Sequence, residues 1–226
     1  MVNYYGTFES KAVAIYHLDG DGTDSSANAQ TMTTAAGSPT FAAGRIWGQR
    51  CTFDGNDALG CANNAVWGVP NFTIGFWAYP TDHPDAGCMF GTFGSTGGST
   101  YGFTARYNDS SYFQLYISDG GYNEGVAGTS TNTYAINNWY HVIMDYTRST
   151  TTGHIYVNGK LDMTKTNFPS MSYDTSNNYP RMGCRNIAGG NDRFFVGILD
   201  DVWMVNYAMT YRDVKMAYGT AIGKFE

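Results

Sequence analysis

Apolar and polar residues alternate along several segments of the chain, which is the pattern of strands that bury one face. The pattern is strongest in residues 71–79, and residues 111–118 and 139–147 repeat it. The face predicted to be buried in the first of these segments carries Phe72, Ile74, Phe76 and Ala78. The alternation therefore predicts three strands, with residues 71–79 as a central one.

Turn and cap signals predict how the strands are joined. Asn158-Gly159 lies between two short apolar runs and predicts a type I′ hairpin, because both residues accept a positive φ at low cost. Thr210 and Asp213 have the spacing of a capping box, and Gly219 is a natural helix stop, so one short C-terminal helix is expected. Polar, Gly-rich stretches are interpreted as loops: residues 19–26, 94–100, 120–133, 170–178 and 189–192.

Composition favours an all-β chain. Aromatic residues make up 16% of the 226 residues and there are 28 glycines, a mixture that suits short strands joined by turns. No Pro- or Ser-rich tract and no repeat of fixed period divides the chain. We therefore predict a single domain, residues 1–226, with a core over about residues 11–218.

Charge excludes some partners. The net charge of −6 is the wrong sign for holding phosphate backbones, so nucleic acid is not expected as a partner. No apolar run approaches the length of a membrane span, which is about 20 residues. The first residues have neither a basic region nor an apolar region of a signal peptide, so the sequence as written predicts no export. A chain from which a signal had been removed would have the same pattern.

The four cysteines are Cys51, Cys61, Cys88 and Cys184. They form no CxxC pair and no spacing typical of a zinc site, so free thiols are expected. One alternative stays open. Cys51 and Cys61 would face each other if residues 54–57 formed a hairpin turn, and that geometry would permit a disulfide.

Several motifs, in their order along the chain, resemble the laminin-G-like jelly roll of the concanavalin A-like superfamily. The segments that carry the resemblance are residues 18–20 with 24–28, 48–55, 71–77, 139–142 with 156–160, and 197–202 with 206–210. The resemblance covers nearly the whole chain and implies a jelly-roll sandwich of two antiparallel sheets with a short C-terminal helix.

The resemblance implies function only loosely, because this fold serves many purposes. The first interpretation is a non-catalytic module that binds glycans or a protein partner. The second is a virion structural protein, such as a phage capsid decoration or a tail or fibre component on the particle surface, which includes the possibility of a homo-oligomer. Location on a virion, or outside the cell after loss of a signal, follows from these interpretations.

A glycoside hydrolase ranks third. Hydrolases of this fold use paired carboxylates on one strand, usually two Glu. The chain has only three Glu, and none lies in such a pair: Glu9, Glu124 and Glu226. Asp200 and Asp201 are neighbours whose side chains would leave a regular strand on opposite faces. We therefore predict no catalytic residues.

Acidic residues suggest a structural Ca²⁺ site. Asp19, Asp21 and Asp24 crowd one turn, and the resemblance places that turn near the last strand, which carries Asp200. Oxygen ligands that converge from a turn and a strand suit Ca²⁺, whereas the alternative is a solvated, turn-stabilising cluster. Both interpretations stay open.

Tyrosines in and beside the loops are the candidate ligand-binding residues. Aromatic rings stack on the faces of sugars, Asn and Asp bind hydroxyl groups, and Tyr serves protein partners equally well. The predicted set is Tyr107, Asn108, Asp109, Tyr112, Tyr122 and Asn123. The alternative for each tyrosine is ordinary packing with only its hydroxyl in water.

Overall fold

The computed structural model describes residues 8–44, 48–96, 99–121, 125–174, 176, 178–187 and 190–222. Within these residues, α1 (Tyr211–Ile222) is the one α-helix, and the rest is mainly short strands. In chain order the strands are β1 (Ala12–Tyr16), β2 (Thr33–Ala36), β3 (Thr40–Ala43), β4 (Gln49–Asp54), β5 (Ala58–Gly60), β6 (Asn71–Pro80), β7 (Gly87–Gly91), β8 (Gly94–Thr96), β9 (Ser99–Tyr107), β10 (Phe113–Asp119), β11 (Val126–Thr129), β12 (Tyr140–Thr147), β13 (Thr152–Val157), β14 (Lys160–Lys165), β15 (Arg181–Met182), β16 (Arg185–Ile187), β17 (Gly190–Asp192) and β18 (Val196–Val205).

The strands form two large antiparallel sheets. The first sheet has the order β14-β13-β12-β6-β18-β4-β3, and β1 also pairs with β18. The second sheet has the order β11-β10-β9-β7-β15-β5-β2, and β8 also pairs with β9. Strands β16 and β17 form a separate small hairpin. This architecture confirms the predicted all-β sandwich with one short C-terminal helix.

The core lies between the two sheets, on the face that the alternation in β6 predicts. Phe72, Ile74 and Phe76 are all fully buried there. The Phe72 ring stacks on Phe103 of the second sheet with ring centroids 4.2 Å apart, which joins the two layers. The prediction that residues 71–79 form a central strand is therefore confirmed, since β6 pairs with β12 on one side and β18 on the other.

The outer face of the first sheet is covered by α1 and by the segment before β1. Val214 and Ala217 of α1 pack with Trp203, Tyr156 and Phe8 in a second apolar cluster. Because this cluster removes the outer face from water, the first sheet is buried on both sides where the helix crosses it.

The C-terminal helix starts as predicted and ends later. The Asp213 backbone N–H donates to Thr210 Oγ1 (3.2 Å), and the Thr210 backbone N–H donates to the Asp213 carboxylate (3.0 Å), which is the predicted capping box. The predicted end at Gly219 is wrong, because α1 continues to Ile222. The additional turn buries Ala221 against Trp77, and this packing outweighs the weak helix propensity of glycine.

The hairpin at Asn158-Gly159 is confirmed, since both residues have positive φ (50° and 71°) between β13 and β14. The hairpin considered at residues 54–57 is absent. β4 belongs to the first sheet and β5 to the second, so these residues connect the two layers. Cys51 and Cys61 are therefore not cross-strand partners.

All four cysteines are free thiols, as predicted. Burial raises the pKa of the Cys51 thiol to about 12 and that of Cys61 to about 11. Thiols with such high pKa values are protonated at neutral pH and unreactive. None of the described helices is long and apolar enough to cross a membrane.

Candidate binding face

Asp24, one of the predicted calcium ligands, is a buried hydrogen-bond acceptor. Its carboxylate accepts backbone N–H groups from Ile15 (2.9 Å), Ser26 (2.8 Å) and Gln30 (2.7 Å). The Ser26 hydroxyl donates to it as well, at 2.9 Å. These four donors occupy the lone pairs that a cation would need. Asp24 is therefore a structural residue that joins the turn to β1.

The other three predicted ligands lie in the turn after β1 and in β18. Asp19 accepts the Gln49 backbone N–H (2.7 Å), and Asp21 accepts that of Thr23 (2.9 Å), which lowers the pKa of Asp21. Asp200 is buried within β18. Across the described ranges, no three His, Cys, Asp or Glu side chains form a group that could hold a metal ion. Structural Ca²⁺, which takes six to eight oxygen ligands, therefore stays a prediction.

Tyr107, predicted to bind ligand, lies in the core instead. Its side chain is fully buried at the end of β9, and its hydroxyl donates to the Tyr134 backbone carbonyl at 2.6 Å. The ring packs against Phe113 with centroids 5.4 Å apart. A ligand at the surface cannot reach this ring, so Tyr107 leaves the candidate set. The error arises because the residue stands next to a polar turn but points inward from the strand.

Three of the remaining predicted ligand residues lie on one turn. Asn108, Asp109 and Tyr112 are on the turn between β9 and β10, where the Asn108 side chain accepts the Tyr112 backbone N–H at 2.8 Å. Tyr122 and Asn123 lie outside the described residues, so their part in a site stays a prediction.

Other loop tyrosines serve to hold the loop after β11. Tyr134 donates its hydroxyl to Asp162 of β14, and the same carboxylate accepts the Thr131 backbone N–H at 2.9 Å. Tyr140 donates to the Ala135 carbonyl at 2.9 Å. Both rings pack against Phe113, as the alternative interpretation of the tyrosines expects, but their hydroxyls are bonded within the protein rather than left in water.

The first sheet carries a buried Asp–His pair on its outer face. Asp145 and His154 are cross-strand neighbours with Oδ1 and Nδ1 2.8 Å apart. Burial raises the pKa of Asp145, and the hydrogen bond to Asp145 raises the pKa of His154. Thr73 lies opposite Asp145, but its hydroxyl donates to the Tyr207 carbonyl (2.8 Å). Thr73 therefore bonds the sheet to the chain that precedes α1, and the Asp145–His154 pair links β12 to β13.

The outer face of the second sheet is built from polar and small residues. One row crosses five adjacent strands in register, because each residue is paired with the next: Tyr116 of β10, Thr104 of β9, Gly91 of β7, Arg181 of β15 and Gly60 of β5. Tyr116 and Arg181 are partly exposed, and the residues between them are buried. We call this surface, defined by that row and its neighbours Arg106, Gln114, Thr129 and Tyr179, the binding face.

Tyr116 is held rigidly at one side of the binding face. The Arg106 guanidinium lies 3.8 Å from the centroid of the Tyr116 ring, and Arg106 Nε donates to Thr104 Oγ1 at 2.8 Å. Arg106 is fully buried, so it cannot swing away from the ring. A cation over the ring adds an attraction of about 1–2 kcal/mol when desolvated. The result is a fixed, partly exposed aromatic surface.

Hydrogen-bonding side chains surround this ring. Gln114, two residues before Tyr116 on the same face, donates from Nε2 to Thr129 Oγ1 at 3.1 Å, which orients its amide. At the other side of the face, Tyr179 is 38% exposed and its ring lies 5.6 Å from the Arg181 guanidinium. Aromatic surfaces beside amide, hydroxyl and guanidinium groups can bind a polar ligand that has apolar ring faces.

Loop composition does not indicate the binding face. A usable signal was present in β9, where Thr104 and Arg106 alternate with Phe103, Ala105 and Tyr107. Polar residues at outward strand positions mark the side of the sheet that faces away from the core. Arg106 itself is fully buried on that side, with its guanidinium 5.7 Å from the centroid of the Phe93 ring. Which strands are neighbours, however, is known only from the structure.

Comparison with known proteins gives a family and several solved structures of the same fold. The family model of laminin-G type, described as the concanavalin A-like lectin/glucanases superfamily, matches residues 54–215. No curated protein sequence matches the chain. Domain 4 of a GH43 extracellular arabinanase from Geobacillus stearothermophilus, in complex with arabinotriose, has a TM-score of 0.72 at 17% identity. The match covers 92% of this chain and 98% of that domain.

Two toxin domains are also similar in fold. The binding domain of Paraclostridial Mosquitocidal Protein 1 has a TM-score of 0.71 at 15% identity, over 94% of this chain and 52% of that one. The botulinum neurotoxin serotype D ligand binding domain, in complex with N-acetylneuraminic acid, has a TM-score of 0.64 at 11% identity, over 97% and 53%. The chain thus spans about half the length of these toxin domains. Because the family model covers more than half of the sequence, the chain belongs to the concanavalin A-like lectin/glucanases superfamily.

Proposed function

We propose that the chain is a non-catalytic module that binds glycans through the binding face. The observation that carries the proposal is the Tyr116 ring, fixed by Arg106 at 3.8 Å and partly exposed beside Gln114 and Thr129. A rigid aromatic ring offers a sugar a flat apolar surface, and the neighbouring amide and hydroxyl groups can bind sugar hydroxyls. Little conformational entropy is lost on binding, because the ring is already ordered.

The structural neighbours support this proposal. The arabinanase domain that matches over nearly its full length was solved with arabinotriose, and the neurotoxin domain with N-acetylneuraminic acid. These ligands belong to those proteins. The arabinanase domain is matched over 98% of its length and the neurotoxin domain over 53%, so the arabinanase domain is the stronger support for a sandwich of this fold that holds a saccharide. The virion interpretation and the hydrolase interpretation stay predictions, because no observation in the structure favours either of them.

A glycan array of the wild-type chain and two variants tests the proposal. Tyr116→Ala removes the aromatic surface, and binding should weaken by about fivefold to thirtyfold, since loss of an aromatic anchor costs on the order of 1–2 kcal/mol. Tyr211→Ala is the matched control, because Tyr211 is 50% exposed but lies on α1, over the first sheet. Its binding should equal that of the wild type.

Two results would contradict the proposal. One is a wild-type chain that binds no glycan on the array. The other is a folded Tyr116→Ala chain that binds as the wild type does. Should Tyr112→Ala abolish binding while Tyr116→Ala does not, the site would lie on the turn between β9 and β10.

A further inference from the structure

Arg181 is a cation held in place at the far side of the binding face. Its Nη1 donates to the backbone carbonyls of Pro180 (3.0 Å) and Cys61 (3.4 Å). The side chain lies across Gly60, where an added Cβ would be 2.4 Å from Nη1. A residue other than glycine at that position would displace the guanidinium. The backbone of β5 is therefore shaped to receive Arg181.

The charge of Arg181 is not neutralised by the described chain. The described cysteines that influence it, Cys184 and Cys61, have pKa values raised by burial to about 12 and about 11, so both are uncharged at neutral pH. Nε is buried without a hydrogen-bond partner, and Nη2 makes no hydrogen bond to a described residue. One edge of the guanidinium is thus anchored, and Nη2 is the N–H group for a ligand.

Further arginines lie behind the same face. The guanidinium groups of Arg106 and Arg185 lie 5.7 and 5.5 Å from the centroid of the Phe93 ring. Arg185 is paired with Asp192 at 2.5 Å. Arg185 is therefore neutralised by Asp192, and Arg106 is fully buried. Of these three arginines, Arg181 is the partly exposed one whose charge no described carboxylate pairs, so it is the cation that a ligand could reach.

We propose that the binding face selects acidic saccharides, with Arg181 binding their oxyanion while Tyr116 stacks on a sugar ring. The inference rests on the proposed glycan-binding function and adds the ligand class. Arg181 and Tyr116 are three strand spacings apart, about 14 Å, so the ligand is an oligosaccharide rather than a single sugar. Arginine suits both carboxylate and sulfate, because its planar N–H groups match either oxyanion.

The experiment compares three immobilised probes and three variants of the full chain. The probes are oligouronates, the same oligosaccharides with their carboxyl groups reduced to alcohols, and sulfated oligosaccharides. The variants are Arg181→Gln, Arg181→Lys and Arg212→Gln. Arg212→Gln is the charge-matched control, since Arg212 is exposed on α1. Unfolding midpoints of all chains show whether each variant is folded.

The wild type should bind an acidic probe at least roughly tenfold more tightly than the reduced probe, since hydrogen bonds to charged groups contribute about 1.5–3 kcal/mol. Arg181→Gln should lower that ratio to near one, Arg181→Lys should retain part of it, and Arg212→Gln should leave it unchanged. Which acidic probe binds separates carboxylate from sulfate. Added salt should weaken the binding of the acidic probe alone.

Two outcomes would overturn the inference while leaving glycan binding intact. They are equal binding of acidic and reduced probes by the wild type, and a full acidic preference in folded Arg181→Gln. The wild-type comparison does not depend on whether the variant folds. Failure of the proposed function has a different signature, namely no binding to any probe or no effect of Tyr116→Ala.

Discussion

Single residues of this chain that are chemically prominent are often structural. Asp24 stands in an acidic turn, yet its carboxylate bonds the backbone N–H groups of Ile15, Ser26 and Gln30. Tyr107 stands beside a polar turn, yet its ring is in the core. In both cases burial decides the role, because a buried polar group is bonded within the protein.

The role of Asp24 is testable by substitution. In Asp24→Ala, the backbone N–H groups of Ile15, Ser26 and Gln30 lose their acceptor, and an unsatisfied buried donor costs about 1–3 kcal/mol. We expect a loss in unfolding free energy of roughly 3 kcal/mol, measured by denaturant unfolding. Asp24→Asn, which keeps one acceptor oxygen, should lose less.

Asp21→Ala is the matched control, because Asp21 is exposed and accepts one N–H, from Thr23. The loss in unfolding free energy of Asp21→Ala should be within about 0.5 kcal/mol. Equal losses in Asp24→Ala and Asp21→Ala would show that Asp24 does not organise the turn.

At the scale of elements, packing across the first sheet is set by glycine as much as by apolar side chains. Gly75 lies in the middle of β6, next to Trp203 of β18, and a Cβ there would be 2.1 Å from the indole ring. The indole therefore lies flat on the β6 backbone. Trp203 in turn packs against α1 and Phe8, so the position of the helix depends on that glycine.

Two Gly→Ala substitutions should have opposite effects. Gly75→Ala forces Trp203 to move and should destabilise by about 1–3 kcal/mol, the usual cost of overpacking. Gly219→Ala, in α1 with no atom within 4 Å of the added Cβ, should stabilise by about 0.5–1 kcal/mol through helix propensity. Both are measured as unfolding midpoints. A stable Gly75→Ala chain would mean that Trp203 is not held against β6.

The sequence predicts the long strands and the cap of the C-terminal helix better than it predicts the short strands. β6 and β12 are visible in the sequence because alternation over eight or more residues exposes their faces. β8, β11 and β17 lie within stretches predicted as loops, since three or four Gly-rich residues carry no periodic signal. They are strands because a neighbouring strand supplies the hydrogen bonds. The binding face was missed for the same reason, as it is made by pairings between distant strands.

At the scale of the whole molecule, the two outer faces have different roles. The first sheet is closed by α1, which buries His141 between the rings of Trp77 (5.0 Å) and Tyr218 (5.6 Å). His141 is 2% exposed beneath the helix, which is the position of a structural residue. On the second sheet Tyr116 and Arg181 stay partly exposed, although the residues between them are buried. Because the helix covers the first sheet, these partly exposed residues mark the candidate surface.

Burial of His141 makes the closed face sensitive to acid. Burial lowers the pKa of His141 to about 4 from 6.5, against a smaller opposing effect of Asp201. The unfolded chain therefore takes up this proton at a higher pH than the folded chain does. The contribution of neutral His141 to the unfolding free energy is at its maximum above pH 6.5 and is lost as pH falls from 6.5 to 4. His154 affects the pH dependence of stability in the opposite direction. Because its pKa is raised in the folded state, its protonation stabilises the fold in acid.

Denaturant unfolding between pH 7 and pH 4 tests this linkage. The wild type should lose up to about 3 kcal/mol to His141 over that range. His141→Gln cannot take up the proton, so its stability should fall much less steeply, even where its stability at pH 7 is lower. His154→Gln should fall more steeply than the wild type, because it lacks a residue that stabilises the fold in acid. Parallel pH profiles for the wild type and His141→Gln would contradict the assignment, since the acid sensitivity would then originate elsewhere in the chain.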